Sequence, residues 1–416
     1  METIKSLDKK LAEIHADPNS RAFILADAKD ADMAFGVAAP GKSPERGDGG
    51  FKSLHEFRDH IRRNTQQALL DIMLMSISSN EVLTIRERIF DGSPVTPAVR
   101  ANDTTDIHVA RGASYPKQPS RPFRTAVIEH AQFGSIACEE CDDSQRQVGA
   151  NLGLYSITFN NDVDLDRASV EAYREFRLEA ERKGFRHFLE IFDPNAPVNP
   201  IPPDQLGAFI NDMIARTLAG VPEAGRPLFL KMVYHGPKSM EELVRYDRHL
   251  VPGILGGSAG TTYDAFKLLA ESKKYGARAA LFGRKINSAE HQLSFIQFLR
   301  LIADDQIAPE EAVRAYHGVL GGLGIKPQRA LDKDMQLTTG ATAYAGSGRT
   351  ISIPAAARTS AARSTGPIRT SPTAAPARLT APAKADYPVR PDGLPDFAKM
   401  TPEQRLAYHR ARLGGK

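Results

Sequence analysis

A single lysine, Lys231, sits in the middle of an apolar run, PLFLKMVY, at residues 227–234. Burial disfavours the ammonium form of a lysine, and only the neutral amine attacks a carbonyl carbon, so a lysine in such a run suits imine chemistry. If the run is a strand, Phe229, Lys231 and Val233 share one face, and Leu228, Leu230, Met232 and Tyr234 share the other. The competing reading is a lysine ion-paired with a buried carboxylate for packing alone. Glu190, late in FLEIF between Leu189 and Ile191, is the carboxylate that fits either reading. It serves as general acid/base or as the salt-bridge partner of Lys231, and the two roles are compatible. Asp27 closes another apolar run, RAFILAD, and could orient the lysine or take a substrate hydroxyl proton. Asp27, Lys29, Asp30 and Asp32 together would also suit a divalent cation. If Lys231 is the nucleophile, metal-free chemistry is more economical, so no metal or other cofactor is expected.

Two glycine turns follow. The apolar run 251–255 opens into Gly256, Gly257, Ser258, Ala259 and Gly260, ahead of a helix expected near Thr261. Glycines let backbone N–H groups approach an anion, and a helix N-terminus adds favourable partial charge. After the run 278–282, Gly283 and Arg284 offer another amide and a guanidinium. The expected phosphate-binding residues are therefore Gly257, Ser258, Gly260, Gly283 and Arg284. Ordinary turn usage of glycine is the alternative. Cys138 and Cys141 form one CxxC without a second pair or a suitably spaced histidine, which argues against zinc or redox use.

These residues need elements to hold them. The patterning predicts strands at 21–26, 71–77, 95–100, 152–159, 185–192, 227–234, 251–255 and 278–282, with Pro97 the weak point of the third. Helical periodicity falls between and after them, at 54–69, 81–90, 169–183, 204–218, 240–249, 263–275, 289–303 and 309–320. Ile4, Leu7, Leu11 and Ile14 predict a short amphipathic helix ahead of the first strand. Alternating strands and helices imply a parallel sheet. Eight repeats without a dinucleotide fingerprint favour a closed TIM (β/α)8 barrel over residues 1–335. Phe229, Lys231 and Val233 would then face its interior, with Glu190 inside near the C-terminal rim.

Residues 102–150 are irregular, with His108, Arg111, Arg121, Arg124, His130, several prolines and a possible strand at 125–129. The stretch reads equally as a substrate lid or as a decorated loop. Residues 338–400, rich in Ala, Pro, Thr, Ser and Arg, predict a disordered linker. Thr-Pro-Glu-Gln at 401–404 predicts a short helix over 401–413, either a docking tail or an inert extension.

The 416 residues carry a formal net charge of +4, with 41% hydrophobic and 25% charged residues. Much of the positive excess lies in the C-terminal region, so nucleic acid is not an expected partner. Two cysteines suit a reducing compartment. The charged N-terminus predicts no secretory signal, and no run of about 18 apolar residues predicts a membrane span. The expectation is a cytoplasmic enzyme, a homo-oligomer by analogy with other barrels, acting on a small molecule.

Four pieces, in order, carry a resemblance: ILADAKDADMA, FLEIF, FLKMVY and GGSAG followed by GARAALFGRKI. Over roughly residues 22–287 the chain resembles the class I aldolase superfamily. That superfamily groups deoxyribose-phosphate, archaeal-type fructose-bisphosphate and tagatose-bisphosphate aldolases. It is most similar to the tagatose-bisphosphate group, with an Asp after the first strand, a Glu in a Phe-Leu-Glu-Ile strand five and the lysine one strand later. The resemblance implies a metal-independent carbon–carbon lyase acting on a phosphorylated ketose or related sugar phosphate. By the same resemblance Lys231 would form the Schiff base, Glu190 would be acid/base and Asp27 would assist. Ser258, Gly260, Gly283 and Arg284 would hold a phosphate. Thiolase- or transaldolase-like transfer on the same lysine is an alternative, as is a non-catalytic, sugar-phosphate-binding regulatory barrel.

Overall fold

Eight short apolar runs, each followed by a turn and a helical segment, build the strands β1 Ile24–Lys29, β2 Ile72–Met75, β3 Thr96–Arg100, β4 Leu152–Thr158, β5 Arg186–Phe192, β6 Leu230–Met232, β7 Gly253–Leu255 and β8 Ala279–Phe282. In the computed structural model these strands pair in parallel, in chain order, and β8 closes on β1. The structure describes residues 4–43, 50–107, 110–136, 148–196, 199–256 and 260–338, with the backbone of 342–344 and 349–351 and scattered positions from 388 to 408.

Strand alternation sorts the side chains into two sets. Ile24, Ala26, Ile72, Leu74, Ala98, Leu152, Leu154, Phe188, Phe229, Val251, Ala279 and Leu281 meet inside the barrel. Leu7, Leu11 and Ile14 of the helix Ser6–Ala16 join them, so this helix plugs the N-terminal end. The opposite faces carry Leu25, Met73, Tyr155, Leu189 and Met232 into the helix layer. Phe188 and Phe229 stack inside at 4.5 Å between ring centroids. With its lower half filled by apolar side chains, the barrel can place polar groups only in its upper half.

Several boundaries differ from the expectation. Pro97 is accommodated in β3 because the ladder to β4 begins only at Val99, beyond its missing N–H. Residues 125–129 form no strand. Instead Ile128–Phe133 is helical and ends at Gly134 in the left-handed region, while Asp103–Thr104 pairs with Pro122–Phe123. The helix Val163–Arg182 starts six residues before the expected 169, because Asp162 caps it through the backbone N–H groups of Asp164 and Leu165. In place of the helix expected at 81–90, a short α-helical turn, Ile77–Asn80, runs into the π-type segment Glu81–Arg86.

Within the expected linker, Thr342–Tyr344 and Arg349–Ile351 pair as a small antiparallel hairpin. Thr342, Tyr344, Thr350 and Ile351 supply the strand preference that an overall composition count conceals. Most of the linker lies outside the described residues. In the tail segment, residues 403–405 and 407–408 are helical. The Thr401 hydroxyl accepts from the Gln404 N–H while the Gln404 side chain accepts from the Thr401 N–H, a capping box. Arg405 pairs with Glu311 at 2.9 Å. Among the described residues, no helix is long and apolar enough to cross a membrane.

Candidate active site

Register sets the site. Ser156 lies opposite Glu190 across β4–β5, and Glu190 lies opposite Lys231 across β5–β6. All three have the parity of the interior set, so three neighbouring strands present one polar row just above the apolar filling. Arg100, the last residue of β3, reaches the same row.

The side chains form a chain of alternating charge. Lys231 Nζ contacts Glu190 Oε1. Glu190 Oε2 accepts from Ser156 Oγ at 2.7 Å and from Arg100 Nη2 at 3.3 Å. Arg100 Nη1 donates to Ser156 Oγ at 2.9 Å, and its Nε donates to Asp30 Oδ2 at 2.5 Å. Asn102 fixes the Ser156 backbone from both sides, accepting from its N–H at 2.6 Å and donating to its carbonyl at 2.9 Å. Asp30, Arg100, Glu190 and Lys231 are each at most 6% exposed. Two carboxylates and two cations cancel formally, which is how buried charges are tolerated.

These four residues line one cavity of about 90 Å³, together with Gly283 and Arg284. Ile107 and Leu255 form its apolar wall. Ile107 comes from the irregular region, so the described part of that region shapes the pocket. Its neighbour Asp106 is anchored by Ser120 Oγ at 2.7 Å and Thr158 Oγ1 at 3.0 Å, and burial pushes the Asp106 carboxyl up.

Asp27 is elsewhere. It has the outward parity of Leu25, and its carboxylate accepts from Lys29 Nζ at 2.9 Å and from Asn64 Nδ2 at 2.8 Å. Both members of this pair are fully buried between β1 and the helix Leu54–Gln66. Burial raises the Asp27 carboxyl and lowers the Lys29 amine. The β1 carboxylate that reaches the pocket is Asp30, three residues on. Asp32 turns a third way and accepts from Ser76 Oγ at 2.6 Å. The carboxylates 27, 30 and 32 therefore do not converge. Among the described residues, no group of three or more His, Cys, Asp or Glu side chains is placed to hold a metal ion.

The expected phosphate residues divide. Gly283 and Arg284 line the pocket. A Cβ at Gly283 would stand 2.7 Å from the Ala28 carbonyl oxygen, so only glycine allows β8 to approach β1 this closely. Gly257, Ser258 and the CxxC pair lie outside the described residues. Gly260 does not line the cavity. It holds φ at +87°, and its carbonyl accepts from Lys285 Nζ at 2.8 Å. Burial, with Arg329 nearby, lowers the Lys285 amine to about 8.

The helix Thr262–Lys274, expected to offer its N-terminus to an anion, is already satisfied there. Asp264 accepts from the Thr261 N–H at 2.7 Å, the Thr261 hydroxyl accepts from the Asp264 N–H, and Asp334 accepts from the Thr262 N–H at 2.8 Å. Gln336 and Thr338 add bonds to Thr261 and Asp264, both at 2.7 Å. Carboxylates of the chain itself therefore cap the start of this helix, while Gly283 and Arg284 remain on the pocket wall.

Sequence reading offered Asp30 only as a possible cation ligand and gave no role to Arg100, Ser156 or Asn102. Parity would have pointed Asp30 at the pocket, because Ile24, Ala26, Ala28 and Asp30 share a face. The assembled geometry supplies an amine in contact with a carboxylate, inside a barrel, at the floor of a cavity. That combination can move a proton between the two groups and receive a carbonyl compound.

No family model and no curated protein matches the sequence. Solved structures do. A fructose-bisphosphate aldolase from Slackia heliotrinireducens aligns at 13% identity over 75% of this chain and 91% of that one, with a TM-score of 0.50. An archaeal fructose 1,6-bisphosphate aldolase aligns at 15% identity over 72% and 99%, with a TM-score of 0.49. A Schiff-base-forming fructose-1,6-bisphosphate aldolase aligns at 17% over 72% and 99%, also at 0.49. At these identities the likeness concerns the fold alone. The chain is a TIM barrel whose fold resembles that of a fructose-bisphosphate aldolase.

Proposed function

We propose that the protein is a class I aldolase, cleaving or forming a carbon–carbon bond in a phosphorylated ketose or related sugar phosphate through an imine on Lys231. The observation that carries this reading is the contact of Lys231 with Glu190 inside the barrel, at the floor of the cavity. In this reaction Lys231 passes a proton to Glu190, and the amine attacks the substrate carbonyl carbon. Glu190 returns the proton to the carbinolamine oxygen, which leaves as water. The resulting iminium carries the positive charge of the former ammonium, so the alternating charge chain is preserved.

Glu190, again a carboxylate, takes the proton of the hydroxyl beyond the scissile bond. The bond's electron pair moves into the iminium to form an enamine, and the aldehyde product departs. Glu190 then protonates the enamine carbon, and water hydrolyses the iminium to release the ketone. Ser156 and Arg100 hold Glu190 in place, and Gly283 and Arg284 take the phosphate, with Ser258 assigned there from the resemblance and Gly257 from the glycine turn. The protein is proposed to work without a metal.

The test is to incubate the protein with dihydroxyacetone phosphate and borohydride and map the reduced adduct by mass spectrometry. An adduct on the Lys231 peptide, lost in Lys231→Ala, is the expected result. No adduct with any keto phosphate would sink the mechanism.

A further inference from the structure

The polar groups of the pocket cover only part of its wall. Phe192 ends β5 two residues beyond Glu190, and Val233 follows the end of β6 two residues beyond Lys231, so both continue the interior parity of those residues. With Leu255 and Ile107 they form a separate buried apolar cluster over the lysine. Hydroxyl groups placed against this cluster would leave water without finding partners.

A second recess adjoins the pocket. It shares Ala28, Ala31, Phe35, Gly283 and Arg284 with the first, so the two meet at the β1–β8 seam. Beyond the shared wall it is lined by Ala38, Ala39 and Phe57. Three polar side chains on its wall bond to the protein, Lys29 to Asp27, Ser288 to the Lys285 carbonyl and Asn287 Nδ2 to the Ala39 carbonyl at 3.2 Å, while Asn287 Oδ1 is buried without a hydrogen-bond partner. Its volume is about 220 Å³. An apolar cavity of roughly 150 Å³ already takes benzene, so about six carbons fit.

We propose that this recess is a subsite for an alkyl or aromatic group of the substrate. The chemistry is then polar at the reacting carbons and apolar beyond them, and a compact, alkyl-bearing keto phosphate fits better than a full polyol phosphate. The assignment rests on the imine reading for which carbonyl reacts, but occupancy of the recess does not require an imine.

Binding can therefore be read without the reaction. Calorimetry compares n-hexyl phosphate with glucitol 6-phosphate, which share an anion and six carbons and lack a carbonyl. The expected result is hexyl phosphate binding about tenfold or more tightly, because its carbons leave water for apolar walls. Ala38→Trp, which fills the recess from its rim, should abolish the preference while leaving borohydride trapping of dihydroxyacetone phosphate on Lys231 intact. Ala38→Gln, a smaller polar change, should reduce the preference and covers the case in which the tryptophan variant fails to fold. Equal or tighter binding of glucitol 6-phosphate, no saturable binding of hexyl phosphate, or a preference that survives both substitutions overturns the proposal. Tight hexyl phosphate binding without any trapped adduct supports the recess and sinks the lysine mechanism instead.

Discussion

The barrel holds two buried lysine–carboxylate pairs, Lys231 with Glu190 and Lys29 with Asp27. Both come from apolar strands, and in both the amine touches the carboxylate. The first faces inward, at a cavity, with Ser156 and Arg100 bracing the carboxylate. The second faces the helix layer, where Asn64 supplies the remaining bond to Asp27. Burial and pairing are therefore insufficient to mark a reactive lysine. Strand parity decides which pair stands inside the barrel at the floor of the pocket and which lies on the side of the helix layer.

Substitutions can break or sharpen that contrast. The largest difference is expected at the amines. Lys231→Met should lower carbon–carbon lyase activity by about 10³-fold or more and remove the borohydride adduct, whereas Lys29→Met should leave the adduct on the Lys231 peptide. An adduct on the Lys29 peptide would erase the distinction.

Asp27→Ala should act on stability instead, because it leaves Lys29 buried without its carboxylate. A loss of about 3–5 kcal/mol in urea unfolding is expected, and Asp27→Leu combined with Lys29→Met should recover much of it. A smaller effect is expected at the carboxylate of the inner pair. Glu190→Gln should slow imine formation by about 10²-fold in rapid-mixing kinetics, with Lys231 still trapped at long times.

A last test concerns pH and the helix layer. His187 donates to or accepts from the Tyr173 hydroxyl at 2.8 Å, and burial lowers its pKa to about 3. The unfolded chain binds this proton below about 6.5 while the folded chain does not, so stability is complete above 6.5 and falls as pH drops toward 3. The slope is about 1.4 kcal/mol per pH unit from this group. Melting temperatures measured from pH 7 to 4 should fall, and His187→Gln should flatten the decline.

Much of this was legible in the sequence. Phe229 and Val233 flank Lys231 at two-residue spacing, which oriented the lysine correctly, and Glu190 was placed inside from its position between Leu189 and Ile191, late in its strand. The strand around Asp27 was read as 21–26, whereas it spans Ile24–Lys29. A carboxylate after a strand carries no parity, so Asp27 was placed by proximity to a strand end and Asp30 entered only as a possible cation ligand. Arg100 was visible only as a strand terminus, because its partners lie on strands that are distant in sequence. The helix start after the glycine turn was misread for a different reason. Thr261 and Asp264 are a helix-start signature of their own, and the acidic side chain takes the helix N-terminus before an external anion can.

The bonds from Asp334, Gln336 and Thr338 to the start of the helix Thr262–Lys274 have a mechanical consequence. They moor the end of the barrel domain beside the β7 turn, at the open end of the barrel rather than the plugged one. Tension on the segment that follows would be borne first at that turn, a few residues from the wall of the pocket.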